Sequence, residues 1–134
     1  MLALSTTAMA SGAVAPTHAP ITRAEQALEA LRTAYVEKNN ESFFSSVSEE
    51  PYFKLVDLKF NLTSHFNAFS QMDWHLVRDN AVAEGSKVVI KTHWQKRMVR
   101  NHTGQVETSQ GSTEFIFIVD EQARLLDFRG DNPF

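Results

Sequence analysis

The spacing of apolar residues in this chain changes once, close to Gln71, and that change limits the fold more than any other feature. Before Gln71 the apolar residues recur every three or four positions, as they do along one face of a helix. After Gln71 they alternate with polar residues, as they do on a strand with one buried face. The chain is therefore predicted to form helices first and a sheet second.

The first predicted helix is bounded by two local signals. Thr22 and Glu25 have the spacing of a capping box, in which each side chain bonds the other residue's backbone N–H group, and this predicts the helix start. Asn39 and Asn40 follow the last apolar position, and Asn tolerates the left-handed conformation in which many helices end. The sequence thus predicts a helix from Thr22 to about Asn39.

Two further helical segments are predicted before the change of period. A short helical turn is expected over residues 41–47, and a longer helix is expected from about Pro51, since proline suits the first turn of a helix. The longer helix carries a second apolar stripe of Phe53, Val56 and Phe60. A helix with two such stripes is expected to be buried on more than one side.

Four strands, joined by short turns, are predicted after Gln71. Their ranges are 72–83, with a break near Asp79-Asn80, then 87–100, 105–119 and 123–129. Short turns favour an antiparallel meander, and strands this long must twist and bend. One face of the sheet must be covered, and the helices are the available cover. The predicted fold class is α+β, with N-terminal helices packed into a curved four-stranded antiparallel sheet that forms a cone.

Composition excludes several classes of function. The chain has no cysteine, which excludes disulfides, a thiolate nucleophile and cysteine-based metal sites. Its net charge is −3, and its local basic cluster alternates with apolar residues, so we interpret the cluster as the solvated face of a strand and predict no nucleic-acid partner. The cluster consists of Lys91, Lys96, Arg97 and Arg100.

Residues 1–20 differ in composition from the rest of the chain. They are rich in Ala, Ser, Thr and Pro, and Ala8-Met9-Ala10 resembles a signal-peptidase site. We expect a signal-peptide-like or flexible leader over 1–20 and one domain over 21–134. The domain would be exported, periplasmic or secreted, if the leader is a true signal peptide, and cytoplasmic otherwise. No stretch of about 20 apolar residues predicts a transmembrane segment.

Four stretches of the chain follow a pattern found in one superfamily. They are Ala-Tyr-Val-Glu-Lys-Asn-Asn at 34–40, Val-Val-Ile-Lys-Thr-His-Trp at 88–94, Thr-Gly-Gln-Val at 103–106 and Leu-Leu-Asp-Phe-Arg-Gly-Asp at 125–131. With the order of elements, they resemble small bacterial members of the nuclear transport factor 2-like (SnoaL-like, cystatin-like α+β) superfamily. The resemblance implies a cone that is open at one end and can hold a ligand, and a homodimer formed through the sheet.

The resemblance also directs attention to residues that would line the cone. These ligand-binding candidates are Tyr35, Trp74, Trp94, Asp127 and Arg129. No catalytic residue is carried over from the related isomerases, because the position of their helix-1 tyrosine falls near Arg32. Asp127 and Arg129 share a strand face, so they are either a polar feature of the pocket or a structural pair.

Two histidines on the predicted strands are the remaining candidates. His75 and His93 would suit metal binding or acid–base chemistry if they faced one another. No third ligand accompanies them at a recognisable spacing, so neither a metal nor another cofactor is predicted.

The two functional hypotheses belong to different classes. The first is a non-catalytic exported domain that binds a small ligand or a partner protein through its cone pocket or its sheet face. The second is a small isomerase, dehydratase or cyclase that uses Asp127 with His75 or His93 as acid and base. The missing catalytic pattern and the mixed outer sheet face favour the first.

Overall fold

The structure is a computed structural model that describes the backbone of residues 3–49 and 52–134 and the side chains of residues 19–49 and 56–134. Three helices precede four strands in the described ranges. The helices are α1 (Ala3–Val36), α2 (Asn40–Ser45) and α3 (Tyr52–Ala68), and the strands are β1 (Phe69–Glu84), β2 (Lys87–Arg100), β3 (Val106–Val119) and β4 (Ala123–Gly130).

The strands form one antiparallel meander in the order β1-β2-β3-β4. The helices cover one face of it, so the predicted α+β class is confirmed. The register of β1 against β2 shifts between Arg78 and Asn80, which makes Asp79 the extra residue of a bulge at the predicted break.

The core lies between the helices and the inner face of the sheet. Alternation along the strands sends every second side chain inward, and α1 contributes a stripe at helical spacing. The largest fully buried side chains of the described residues include Leu28, Leu31, Tyr35, Phe43, Phe115 and Phe117.

The predicted start of the first helix is wrong. Thr22 and Glu25 lie inside α1, which begins at Ala3. The segment before Thr22 is rich in alanine, the residue with the highest helix propensity, so helical backbone continues through the capping signal. The side chains of residues 1–18 lie outside the described part of the chain, so the signal-peptide-like leader stays a prediction. None of the described helices is both long and apolar enough to cross a membrane.

The expected burial of the longer helix on several sides is also wrong. Leu58, Leu62 and Phe66 are buried, but Val56 is 48% exposed and Phe60 is 74% exposed. Val56 and Phe60 of the second stripe therefore face away from the core, and the side chain of Phe53 lies outside the described residues.

Candidate functional site

The inner face of β2 places a charged residue in the aromatic core. Its inward positions include Thr92, Trp94, Lys96 and Met98, all of them buried. Lys96 is only 6% exposed, so its interpretation as part of a solvated strand face is wrong. The two-residue period was the available signal, because it places Lys96 on the same face as Trp94.

The Lys96 ammonium group has two hydrogen bonds and two aromatic neighbours. Nζ donates to the hydroxyl oxygen of Tyr35 at 3.1 Å and to the carbonyl oxygen of Pro133 at 2.6 Å. It also lies 5.2 Å from the ring centroid of Tyr35 and 5.3 Å from that of Trp94, which is cation–π distance. Burial lowers the pKa of Lys96 to about 8 and raises the pKa of Tyr35 above its usual value. At neutral pH the site therefore presents an ammonium and a protonated phenol.

The positive charge of Lys96 has no acidic partner among the described residues, since none of their ion pairs includes Lys96. Trp74 lies directly opposite Lys96 on β1 and is 2% exposed, and its Nε1–H group has no hydrogen-bond partner among the described residues. His65 of α3 is half-buried, and burial, followed by the charge of Lys96, lowers its pKa. The site thus has several hydrogen-bond donors, and the described part of the chain offers them no buried anion.

Phe134 fills the middle of the cone. Its ring contacts five others, with centroid separations between 5.1 and 6.3 Å. The five are Tyr35, Phe43, Trp74, Phe115 and Phe128. Nothing in the sequence pattern assigned a role to Phe134, because it follows the last strand and belongs to no periodic segment.

The five ligand-binding candidates divide between the two faces of the sheet. Tyr35, Trp74 and Trp94 are brought together in the cone. Asp127 and Arg129 are not in the cone; they line a surface pocket of about 570 Å³ on the outer face. Phe128 is responsible, because it packs against the core and its two neighbours on β4 must point the other way.

The two strand histidines also lie on the outer face. His75 and His93 line one shallow pocket of about 290 Å³, and His93 Nδ1 lies 2.8 Å from a carboxylate oxygen of Asp79. On β3, His93 is paired with Ser112, whereas Asp127 is paired with Ile116, four residues farther along. The structure therefore does not assemble the acid–base pair of Asp127 with a strand histidine. No cluster of metal-ligating side chains occurs among the described residues.

The outer face has an apolar row at one end. Val82, Val89 and Ile116 are paired across β1, β2 and β3, and Leu126 continues the row onto β4. Charged residues of both signs surround it, namely Glu84, Lys87, Asp127 and Arg129. We call these eight residues the outer patch.

Comparison of the sequence with protein families and with curated proteins finds no match. Comparison of the fold does find similar solved structures. A nuclear transport factor 2-like superfamily protein from Salmonella enterica has a TM-score of 0.62 at 15% identity, covering 81% of this chain and 87% of that one. A conserved protein from Planctomyces limnophilus has a TM-score of 0.75 at 12% identity, covering 83% and 94%.

A third similar structure is a proposed dehydratase of the same family from Streptomyces avermitilis. Its TM-score is 0.72 at 8% identity, and the alignment covers 84% of this chain and 95% of that one. Identities this low establish a shared fold and leave the chemistry to be argued from the site itself.

Proposed function

Because the chain has the nuclear transport factor 2-like fold, we propose that it is a non-catalytic binding domain whose cone takes a small organic anion. The observation that carries this proposal is the buried ammonium of Lys96, which has no acidic partner among the described residues. A buried charge is costly unless it is paired, so proteins seldom keep one without a use. A carboxylate on the ligand would supply the missing charge.

The groups around Lys96 suit recognition better than acid–base catalysis. The raised pKa of Tyr35 keeps its hydroxyl protonated, and the indole N–H of Trp74 is a donor at any pH. The predicted general acid and base lie on the opposite face of the sheet and in separate pockets. Three donors among aromatic side chains, beside the position that the Phe134 ring occupies, are the arrangement expected of a site that can hold an anion in place.

The test compares binding of benzoate, 3-phenylpropionate and octanoate to the wild type and to K96M by isothermal titration calorimetry. A hydrogen bond to a charged group contributes about 1.5–3 kcal/mol, so K96M should bind at least about tenfold more weakly. K91M is the matched control, because Lys91 is an exposed lysine on the same strand. Equal affinities of wild type and K96M, or no binding by any of the three acids, would refute the proposal.

Export belongs to this proposal as well. The leader composition and the Ala8-Met9-Ala10 site support it. The intact mass of the protein recovered from its host would reveal it, since cleavage after Ala10 removes ten residues. A chain that retains Met1 to Ala10 in the cytoplasm would contradict export.

Self-association through the outer patch is a second candidate function. The patch combines an apolar row, of which Val82 is the exposed member, with both signs of charge, so a second copy related by a two-fold axis can set acidic residues against basic ones. Val82 is 41% exposed at one end of the apolar row. The measurable consequence is a dimer in solution.

A further inference from the structure

The last four described residues, 131–134, run into the cone and are called the tail here. Phe134 is buried at the centre of the aromatic cluster, in contact with Tyr35 and Trp74. The tail therefore places an aromatic ring in the space that the fold encloses between helices and sheet.

The tail also supplies an oxygen atom to Lys96. The carbonyl of Pro133 accepts from Nζ at 2.6 Å, which is the shorter of the two hydrogen bonds made by the ammonium group. A neutral carbonyl leaves the positive charge uncompensated, whereas a carboxylate oxygen in the same position would compensate it. Ring and oxygen together have the outline of an aromatic acid with a short linker.

Hydrogen bonds at the rim hold the tail in place. The Asp131 N–H group donates to the carbonyl of Ser112 at 3.0 Å, and its carboxylate accepts from the Ser112 N–H group at 2.9 Å. The hydroxyl of Thr113 donates to the Asp131 carbonyl at 2.6 Å. Just before these contacts, Gly130 has a φ of +94°, a conformation that only glycine adopts readily, so the chain turns into the cone at this point.

We propose that the tail is a built-in occupant of the binding site, that the ligand is an arylalkanoic acid, and that the ligand binds by displacing the tail. This inference rests on the proposed function and adds to it the chemical class of the ligand and the way the site opens. The ligand's ring takes the position of the Phe134 ring, and its carboxylate takes the position of the Pro133 carbonyl beside Lys96 and Trp74. The bonds of Asp131 with β3 set how readily the tail leaves.

The experiment uses 3-phenylpropionate as the probe and its neutral amide as the matched ligand. Affinities are measured for the wild type, for F134A, which empties the site, and for D131A, which loses a rim bond without touching the core. The apparent affinity is lowered by the fraction of molecules whose site is open, so a variant with no tail ring in the site should bind the probe more tightly than the wild type. F134A should bind it about tenfold tighter or better, and D131A should also bind it more tightly. F117A is the control, because Phe117 is a buried phenylalanine whose removal opens a cavity elsewhere in the core.

Amide hydrogen exchange supplies the second readout. In the wild type, the probe should speed exchange of the Asp131 and Phe134 amides, whose N–H groups bond Ser112 and Asn132 in the closed form. The neutral amide should bind at least about tenfold more weakly than the acid. If F134A does not fold, D131A and the exchange measurement still decide the matter.

Two results separate the failure of this inference from the failure of the proposed function. If the wild type binds the acid in a Lys96-dependent way while the tail amides stay protected and D131A binds no tighter, the tail is a structural element and the inference is wrong. If wild type, D131A and F134A all fail to bind 3-phenylpropionate, benzoate and octanoate, the proposed function is wrong and the inference falls with it; if only octanoate binds, the inference alone is wrong.

Discussion

Lys96 shows how one residue can set the chemistry of an otherwise apolar interior. Its carbon chain continues the inward face of β2, and its Nζ is stabilised by Tyr35, Pro133 and two aromatic rings. These contacts do not fully replace water, because the pKa of the group falls to about 8. The protonated side chain therefore opposes folding even though it is well bonded.

That conclusion predicts how stability depends on pH. The pKa of Lys96 is about 8 in the folded chain and 10.5 for an unperturbed lysine, so the folded state releases this proton first. The contribution of Lys96 to the free energy of unfolding is therefore lowest below pH 8, and it rises as the pH increases from about 8 towards 10.5. Relative to K96M, the free energy of unfolding of the wild type should increase by ~2–3 kcal/mol across this window.

Urea denaturation of both proteins at several pH values checks the prediction. The comparison is cleanest up to pH 10, because the raised pKa of Tyr35 acts with the opposite sign above 10.0, the pKa of an unperturbed tyrosine. Above pH 10 the unfolded chain ionises Tyr35 before the folded chain does, so the free energy of unfolding falls. K91M should follow the wild-type profile, and a flat difference between wild type and K96M would show that Lys96 titrates as a solvated lysine.

Among the elements, the ranges of the strands can be predicted from the sequence pattern, whereas the side chains that fill the cone cannot all be predicted from it. The predicted range of β2 agrees with the observed Lys87–Arg100, because strict alternation and the flanking turns set both ends. At Lys96 two signals conflict: its charge favours the solvated face, the two-residue period favours the inward face, and the inward face prevails. Phe134 has no such signal, because a residue outside any periodic segment is placed only by tertiary contacts.

The candidate residues on β4 illustrate the same limit. The prediction that Asp127 and Arg129 share a face agrees with their common pocket. The sequence does not decide whether that face is the inner or the outer one. Both alternating sets of β4 residues contain apolar and charged side chains, so either Phe128 or its two neighbours could point inward. Tyr35, Trp74 and Trp94 were easier to place, because large aromatic side chains are favoured in a core.

At Gly111, β3 lies close to the Trp94 side chain of β2 and to the Asp131 side chain of the tail. A Cβ atom at this position would lie 2.7 Å from the Trp94 ring and 2.9 Å from the Asp131 side chain, nearer than atoms can approach. G111A should therefore push the tail outward and lower the free energy of unfolding by about 1–3 kcal/mol. Chemical denaturation measures this cost, and faster amide exchange at Asp131 would locate it; unchanged exchange there would mean that the ring of Trp94 moves instead.

At the scale of the whole molecule, the sheet separates two surfaces with different chemistry. The inner face holds the aromatic cone and its single described ammonium, and the outer face holds the outer patch with its apolar row and charges of both signs. A ligand in the cone and a partner on the outer patch would therefore not compete for the same residues.

Two valine substitutions test the outer patch. Val82 lies in the apolar row, whereas Val106 is 46% exposed and pairs with Val99 at the other end of β2. If the protein dimerises through the patch, V82E should convert it to a monomer, because a carboxylate would be buried in the interface without a partner. V106E should leave the mass unchanged. Light scattering coupled to size-exclusion chromatography measures both, and a wild type that is monomeric at high concentration would rule out this interface.

The short segment after α2 has a consequence for how molecules of this protein meet. Ser48 N–H donates to the carbonyl of Leu125, and Leu125 N–H donates to that of Ser46, so the segment is joined to β4 along what would otherwise be a bare margin. A strand from another molecule therefore cannot hydrogen-bond to the edge of β4 at Leu125. The other edge strand of the sheet, β1, is the one to which a strand of another molecule could add. Its bulge at Asp79 and its charged side chains discourage such pairing and the growth of fibrils from it.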